Sequence, residues 1–150
     1  AKIIGLDLIA LTDHNSCKNC PAIQKAANAY GILFLPGMEL TTAEEVHVLC
    51  YFPQLNAAMN FDSYVSSHLP HIPNKPALFG EQRICDEEDQ ILGQENRLLI
   101  SARIFLSLPY MIWYSSLTAL WFLLTLTNQV PVFSEILVLF RKTVAFPVQK

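Results

Sequence analysis

Four residues in the first third of the chain carry side chains suited to a metal: Asp13 and His14 in TDH, Glu39 in GMEL, and His47 in EVHVL. Carboxylate oxygen and neutral imidazole nitrogen together suit Mn²⁺, Zn²⁺ or Fe²⁺, and one carboxylate can bridge two such ions. Two neighbouring ions generate hydroxide at neutral pH and clamp the oxygens of a phosphate ester during in-line attack. A histidine on an apolar stretch is more often a core residue than a ligand. Position is what favours the metal: these four fall at strand ends, or on a strand.

The elements that must position them are readable from the apolar pattern. LDLIAL, ending in TDHN, has the continuous character of a strand buried on both faces. Pro21 stands where a helix starts, and AIQKAANAYG puts Ile23, Ala26, Ala27 and Tyr30 on one stripe before a stop at Gly31. ILFLP is a second buried strand closed by Pro36, GMEL a brief third extended piece, and VHVLCYF a further strand after the acidic pair Glu44–Glu45. Strand, helix, strand order predicts a parallel α/β layout with right-handed crossovers, whose ligands gather at the carboxyl ends of the strands. Residues 56–68 have the pattern of a modest amphipathic helix, HLPHIPNKP is a loop, and RICDEEDQILG is a hairpin signal. His68 and His71 are expected to be merely exposed, and DEED to be a solvated turn.

Composition divides the chain. Residues 1–100 hold 12 acids against 6 bases, with all five glycines, all four cysteines and all four histidines. Residues 101–150 hold Glu135 as their only acid and contain no Gly, Asp, His or Cys. A net charge of -3 gives no electrostatic case for a stable nucleic-acid partner. The start, AKIIGLDLIALTDH, lacks the marks of a secretory signal, so Cys17, Cys20, Cys50 and Cys85 are expected to be reduced thiols of a cytoplasmic protein. Cys17 and Cys20 have CxxC spacing without a second pair, which is weak support for structural zinc or redox chemistry, although Cys17 stands close to His14.

GLDLIALTDHNS, PGMEL and EEVHVLCYF together resemble the polymerase and histidinol phosphatase (PHP) domain, particularly its stand-alone bacterial phosphoesterases. The resemblance spans roughly residues 1–100, including FGEQRICDEEDQILG. It implies a partial, distorted β/α barrel and, in an intact relative, two or three divalent ions of Mn, Zn or Fe. It implies that His14 is a ligand, that Glu39 bridges two metals, that His47 is a ligand of one of them, and that Asp13 supports the site. The implied activity is hydrolysis of phosphate esters by metal-bound hydroxide, with small phosphorylated or nucleotide-type substrates. The family's opening His-x-His strand is missing, and nothing after His71 can supply its later histidines. A site short of ligands binds metal weakly, so the chain is expected to be nearly inactive.

From 104 to 126 the chain runs 23 residues without a charge, long enough for a transmembrane segment. An alternative is a shifted reading frame. Codons permitted by LTALWFLLTLTNQ, read one nucleotide earlier, allow DGTVVPAHID; those of VPVFSEILVLFRKT allow SSIQRNLGFIPED. Both hypothetical peptides resemble what the PHP family carries next. The tail at 101–150 is therefore expected to be a frame-shifted continuation, helical or poorly ordered. Two other classes of function compete with the phosphoesterase: a small single-pass membrane protein with an acidic cytoplasmic domain, and a non-catalytic metal-binding module.

Overall fold

The computed structural model describes residues 1–42 and 47–101 with their side chains, and the backbone alone of Trp121–Thr125 and Ile136–Phe140. After a 3-10 turn at Lys2–Ile4 come β1 (Leu8–Thr12), α1 (Cys20–Ala29), β2 (Leu33–Thr41), β3 (His47–Tyr51) and α2 (Leu55–His68). A short helix α3 (Pro76–Phe79) leads to β4 (Arg83–Cys85) and β5 (Ile91–Gln94), and the last described strands are β6 (Trp121–Thr125) and β7 (Ile136–Phe140). The fold is mixed α/β: one five-stranded sheet in the order β6-β3-β2-β1-β7, and a separate β4-β5 hairpin. The described strands form an open sheet, and no barrel closes among them.

Several expectations need correction. Pro36 does not end a strand: β2 runs through Pro36 and Gly37 without a break and takes in GMEL. Its first half pairs in parallel with β1, Leu8 opposite Leu33 and Leu11 opposite Pro36. Its second half pairs antiparallel with β3, from Gly37 opposite Tyr51 to Thr41 opposite His47. Pro36 has no N–H to give, but its carbonyl accepts the Phe52 N–H at 2.9 Å, so the ladder survives the change of partner. The sheet is thus parallel only between β1 and β2. A parallel crossover needs a dozen or more residues, and the link from Thr41 to His47 is far too short for one.

Gly37 is where three strands crowd. A Cβ there would lie 2.8 Å from Thr12 Cγ2, 2.9 Å from the Leu11 carbonyl oxygen and 3.0 Å from that of Cys50. A glycine inside a strand often marks such a close backbone approach.

Strand alternation assigns two faces. On one, Leu11, Met38, Leu40, Val48 and Cys50 form the main core with α2, which contributes Ala58, Phe61 and Val65. Helix α1 covers the same side through Ala27, with Leu6, Ile9 and Ile32. Tyr30 lies past the helix end and is exposed, so the stripe on α1 is shorter than its spacing predicts. On the other face Ala10, Leu49 and Tyr51 are buried against Leu35. The ends of the α2 helix and the β4-β5 hairpin lie close to where the sequence places them.

The transmembrane-like segment 104–126 lies outside the described residues except for its end, where Trp121–Thr125 is a strand and not a helix. Ile136–Phe140 is likewise extended. The physical reason is the sheet itself: the open sides of β3 and β1 present unpaired backbone groups, and these two apolar runs pair with them antiparallel. No helix among the described residues is long and apolar enough to cross a membrane. Glu44, Glu45 and residues 102–120, 126–135 and 141–150, where most of the frame-shift reading falls, also lie outside the described residues.

Candidate metal centre

The parallel register of β1 and β2, continued past Thr12, sets His14 opposite Glu39 as an isolated bridge. Backbone bonds hold it: Glu39 N–H donates to the Asp13 carbonyl at 3.0 Å, and Asn15 N–H to the Glu39 carbonyl at 3.0 Å. On the other side of β2, Glu39 pairs with Leu49 and Thr41 with His47, so His47 stands diagonally beside Glu39 on the same face. Two registers, one parallel and one antiparallel, therefore deliver three ligand-type side chains to one point.

Each carboxylate oxygen of Glu39 faces a different imidazole. His14 Nδ1 is 3.6 Å from Oε2, and His47 Nδ1 is 3.1 Å from Oε1. The rings stand edge to face with centroids 5.7 Å apart. One ligand atom from each of the three residues lies within 4.8 Å of the others. Donors about 2.1 Å from a shared ion stand about 3.0–3.4 Å apart, close to the two Glu39–imidazole separations. Both Nδ1 atoms are buried and neither makes a hydrogen bond, although each is near a carboxylate oxygen. Buried polar groups are ordinarily satisfied, so two unsatisfied ring nitrogens converging on one carboxylate fit a cation between them.

The electrostatics agree with that fit. Burial pushes the His14 pKa below its ordinary value; Glu39 pulls it back up, and His47 adds to the lowering. The net direction favours the neutral ring, whose free nitrogen is the form that binds metal. Tyr51 lies on the same face, its hydroxyl buried without a hydrogen-bond partner, and its pKa is raised by burial, then by Cys50 and Glu39.

Asp13 belongs to the other face. Its Oδ2 accepts a 3.2 Å bond from Asn19 Nδ2, while Asn19 Oδ1 accepts from the Cys85 N–H at 3.0 Å. Asp13 thus braces the loop after β1 against β4 and stands apart from the His14, Glu39 and His47 cluster. His68, the last residue of α2, and His71 in the loop beyond it are both exposed, as expected. Cys17 turns away from His14: its thiol donates to the Gly37 carbonyl at 3.2 Å inside the core.

Asn15 was not marked by its residue type, yet it locks the site. It has a φ of 50°, a left-handed conformation that Asn tolerates better than most residues. Its Oδ1 accepts the Thr41 N–H at 3.0 Å, and its Nδ2 donates to the Leu99 carbonyl at 2.8 Å. The one available signal was Asn directly after a strand tip. Comparison of the chain with protein-family models, with curated proteins and with solved structures gives no match.

Proposed function

We propose that His14, Glu39 and His47 hold a divalent ion of the Mn²⁺, Zn²⁺ or Fe²⁺ class, in a site of the phosphoesterase type. The observation that supports this most is the placement of two buried, bond-free imidazole nitrogens on either side of one carboxylate. The resemblance of TDHN, PGMEL and EVHVLCYF to the PHP domain supplies the reaction class and makes the open sheet a wall of that family's barrel. A bound divalent ion would supply charge stabilisation to a phosphoryl group and acidify an attacking water. The chain's own residues do the rest. His14 and His47 orient toward Glu39, Asn15 holds the strand ends in register, and Ala10, Leu49 and Tyr51 form a buried apolar patch on the same face. Three protein ligands are few for a multi-metal site, so turnover by this chain is low.

The test is a Mn²⁺ titration read by loss of the free-ion EPR signal. The parent chain should bind stoichiometrically, and Glu39→Gln and His47→Ala should each weaken binding tenfold or more, whereas His71→Ala should not. Equal binding by all four chains overturns the site. Rapid hydrolysis of a chromogenic phosphodiester by the parent overturns the low-turnover part alone.

A further inference from the structure

The ring of Tyr51 packs in the apolar patch of Ala10, Leu49 and Leu35, a place that phenylalanine would fill as well. Its hydroxyl is what packing leaves unexplained. Tyr51 is only 8% exposed, its Oη is buried, and it meets no hydrogen-bond partner among the described residues. A buried tyrosine hydroxyl ordinarily finds a partner, and one that does not costs stability.

Strand register places this orphan at the metal centre. Glu39 pairs with Leu49, and His47 and Tyr51 each lie two residues from Leu49 on β3. Both are therefore diagonal neighbours of Glu39 on one face, within reach for side chains of their length. Tyr51 itself pairs with Gly37, which has no side chain to offer its hydroxyl. His14 faces Glu39 from β1. The three residues that flank this carboxylate thus each bring a buried atom without a hydrogen bond: His14 Nδ1, His47 Nδ1 and Tyr51 Oη. The carboxylate cannot serve them all, since each of its oxygens already faces an imidazole. Burial, then Cys50 and Glu39, push the Tyr51 pKa above its ordinary value, so the hydroxyl keeps its proton and is available as a donor.

Charge says which acceptor suits it. A divalent ion held by His14, Glu39 and His47 meets one carboxylate and two neutral imidazoles, which leaves one positive charge uncompensated. Such a centre attracts an anion, and a hydrogen bond to a charged oxygen is about twice as strong as one to a neutral oxygen. We propose that Tyr51 is the hydrogen-bond donor of this centre, its hydroxyl holding one oxygen of an oxyanion drawn to the ion. The anion's attraction rests on the metal reading; the orphaned hydroxyl stands without it. Binding then supplies the partner that folding alone withholds.

The experiment sets Tyr51→Phe, which keeps the packed ring, against the parent in two measurements. In urea unfolding of the metal-free chains, removal of an orphaned hydroxyl should raise the midpoint by about 0.5 M. A midpoint at or below that of the parent shows that the hydroxyl is already satisfied within the protein, and overturns the assignment. In calorimetry with inorganic phosphate on the Mn²⁺-loaded chains, Tyr51→Phe should weaken phosphate about tenfold, while Mn²⁺ affinity stays within about twofold of the parent. Equal phosphate affinity of the two loaded chains overturns the donor role and leaves the metal reading standing. So does a loss confined to Mn²⁺ affinity, which would make Tyr51 a group that acts on the ion alone. A parent chain that takes up no Mn²⁺ overturns the metal reading, and the donor role with it.

Discussion

Gly37→Ala is the sharpest test of how the site is assembled. The added methyl would sit 2.8 Å from Thr12 Cγ2, 2.9 Å from the Leu11 carbonyl oxygen and 3.0 Å from the Cys50 carbonyl oxygen. The threonine methyl can rotate away, but the two oxygens are backbone on opposite flanking strands. Movement off one oxygen presses on the other, so β1 and β3 must both shift. Overpacking of this kind costs about 2–3 kcal/mol. With a urea m-value of ~1.5 kcal/mol/M, the unfolding midpoint should fall by about 1.3–2 M. The same shift separates His14 from His47, so Mn²⁺ affinity should fall with it. Gly93→Ala is the control: its nearest neighbour is Ile84 Cδ1 at 4.0 Å, and its midpoint should stay within about 0.3 M of the parent. A Gly37→Ala midpoint as close to the parent as that of Gly93→Ala would refute the crowding account.

Glu95 sets a second test. Its carboxyl is held at a pKa of about 2, first by its hydrogen bonds with Arg97, then, against the cost of burial, by Lys18. Because the folded value is depressed, its contribution is present above about 4.5 and is lost as pH falls from there toward 2, amounting to ~3 kcal/mol at most since Lys18 is partly in water. Urea midpoints measured from pH 5 to 3 should therefore drop more steeply for the parent than for Glu95→Gln; parallel curves would sink this. Asn15→Ala loses three side-chain bonds and must hold a φ of 50° without them, so it should cost about 2–3 kcal/mol by urea unfolding and speed hydrogen exchange at Thr41. Asn15→Gly, which removes the strain but not the lost bonds, should cost less; the reverse order would refute the clamp. In a native thiol assay Cys85 should react and the other three should not, because Cys17, Cys20 and Cys50 are buried. The Cys17 thiol pKa is raised by its contact with Cys20 and by burial, and that of Cys50 by burial. Four fast thiols without denaturant would contradict the core described here.

The three converging side chains were legible because their chemistry sits at the ends of apolar runs, and residue type and strand position are local properties. The direction of strand pairing was less so. ILFLP and GMEL looked like two pieces because proline usually ends a ladder, and only the neighbouring strand reveals that the Pro36 carbonyl finds Phe52. Asp13 and His14 looked equivalent as adjacent polar residues at a strand tip, yet alternation sends them to opposite faces, His14 to Glu39 and Asp13 to Asn19. A cleft beside His14 was not legible at all. Its wall comes from residues 79–84 and 98–100, and the ion pair joining Lys18 to Glu95 leaves no mark on local pattern.

The change of partner along β2 also sets an order of assembly. Thr41 meets His47 only six positions further along the chain, whereas Leu8 must find Leu33 across the whole of α1. Closing the shorter loop costs less chain entropy, and hairpins close within microseconds. The half of the centre made by Glu39 and His47 is therefore built on contacts of low sequence separation, while His14 arrives with the slower, longer-range docking of β1. A chain caught between these two events would hold a carboxylate and one imidazole, and would gain its third ligand only as the last register locked.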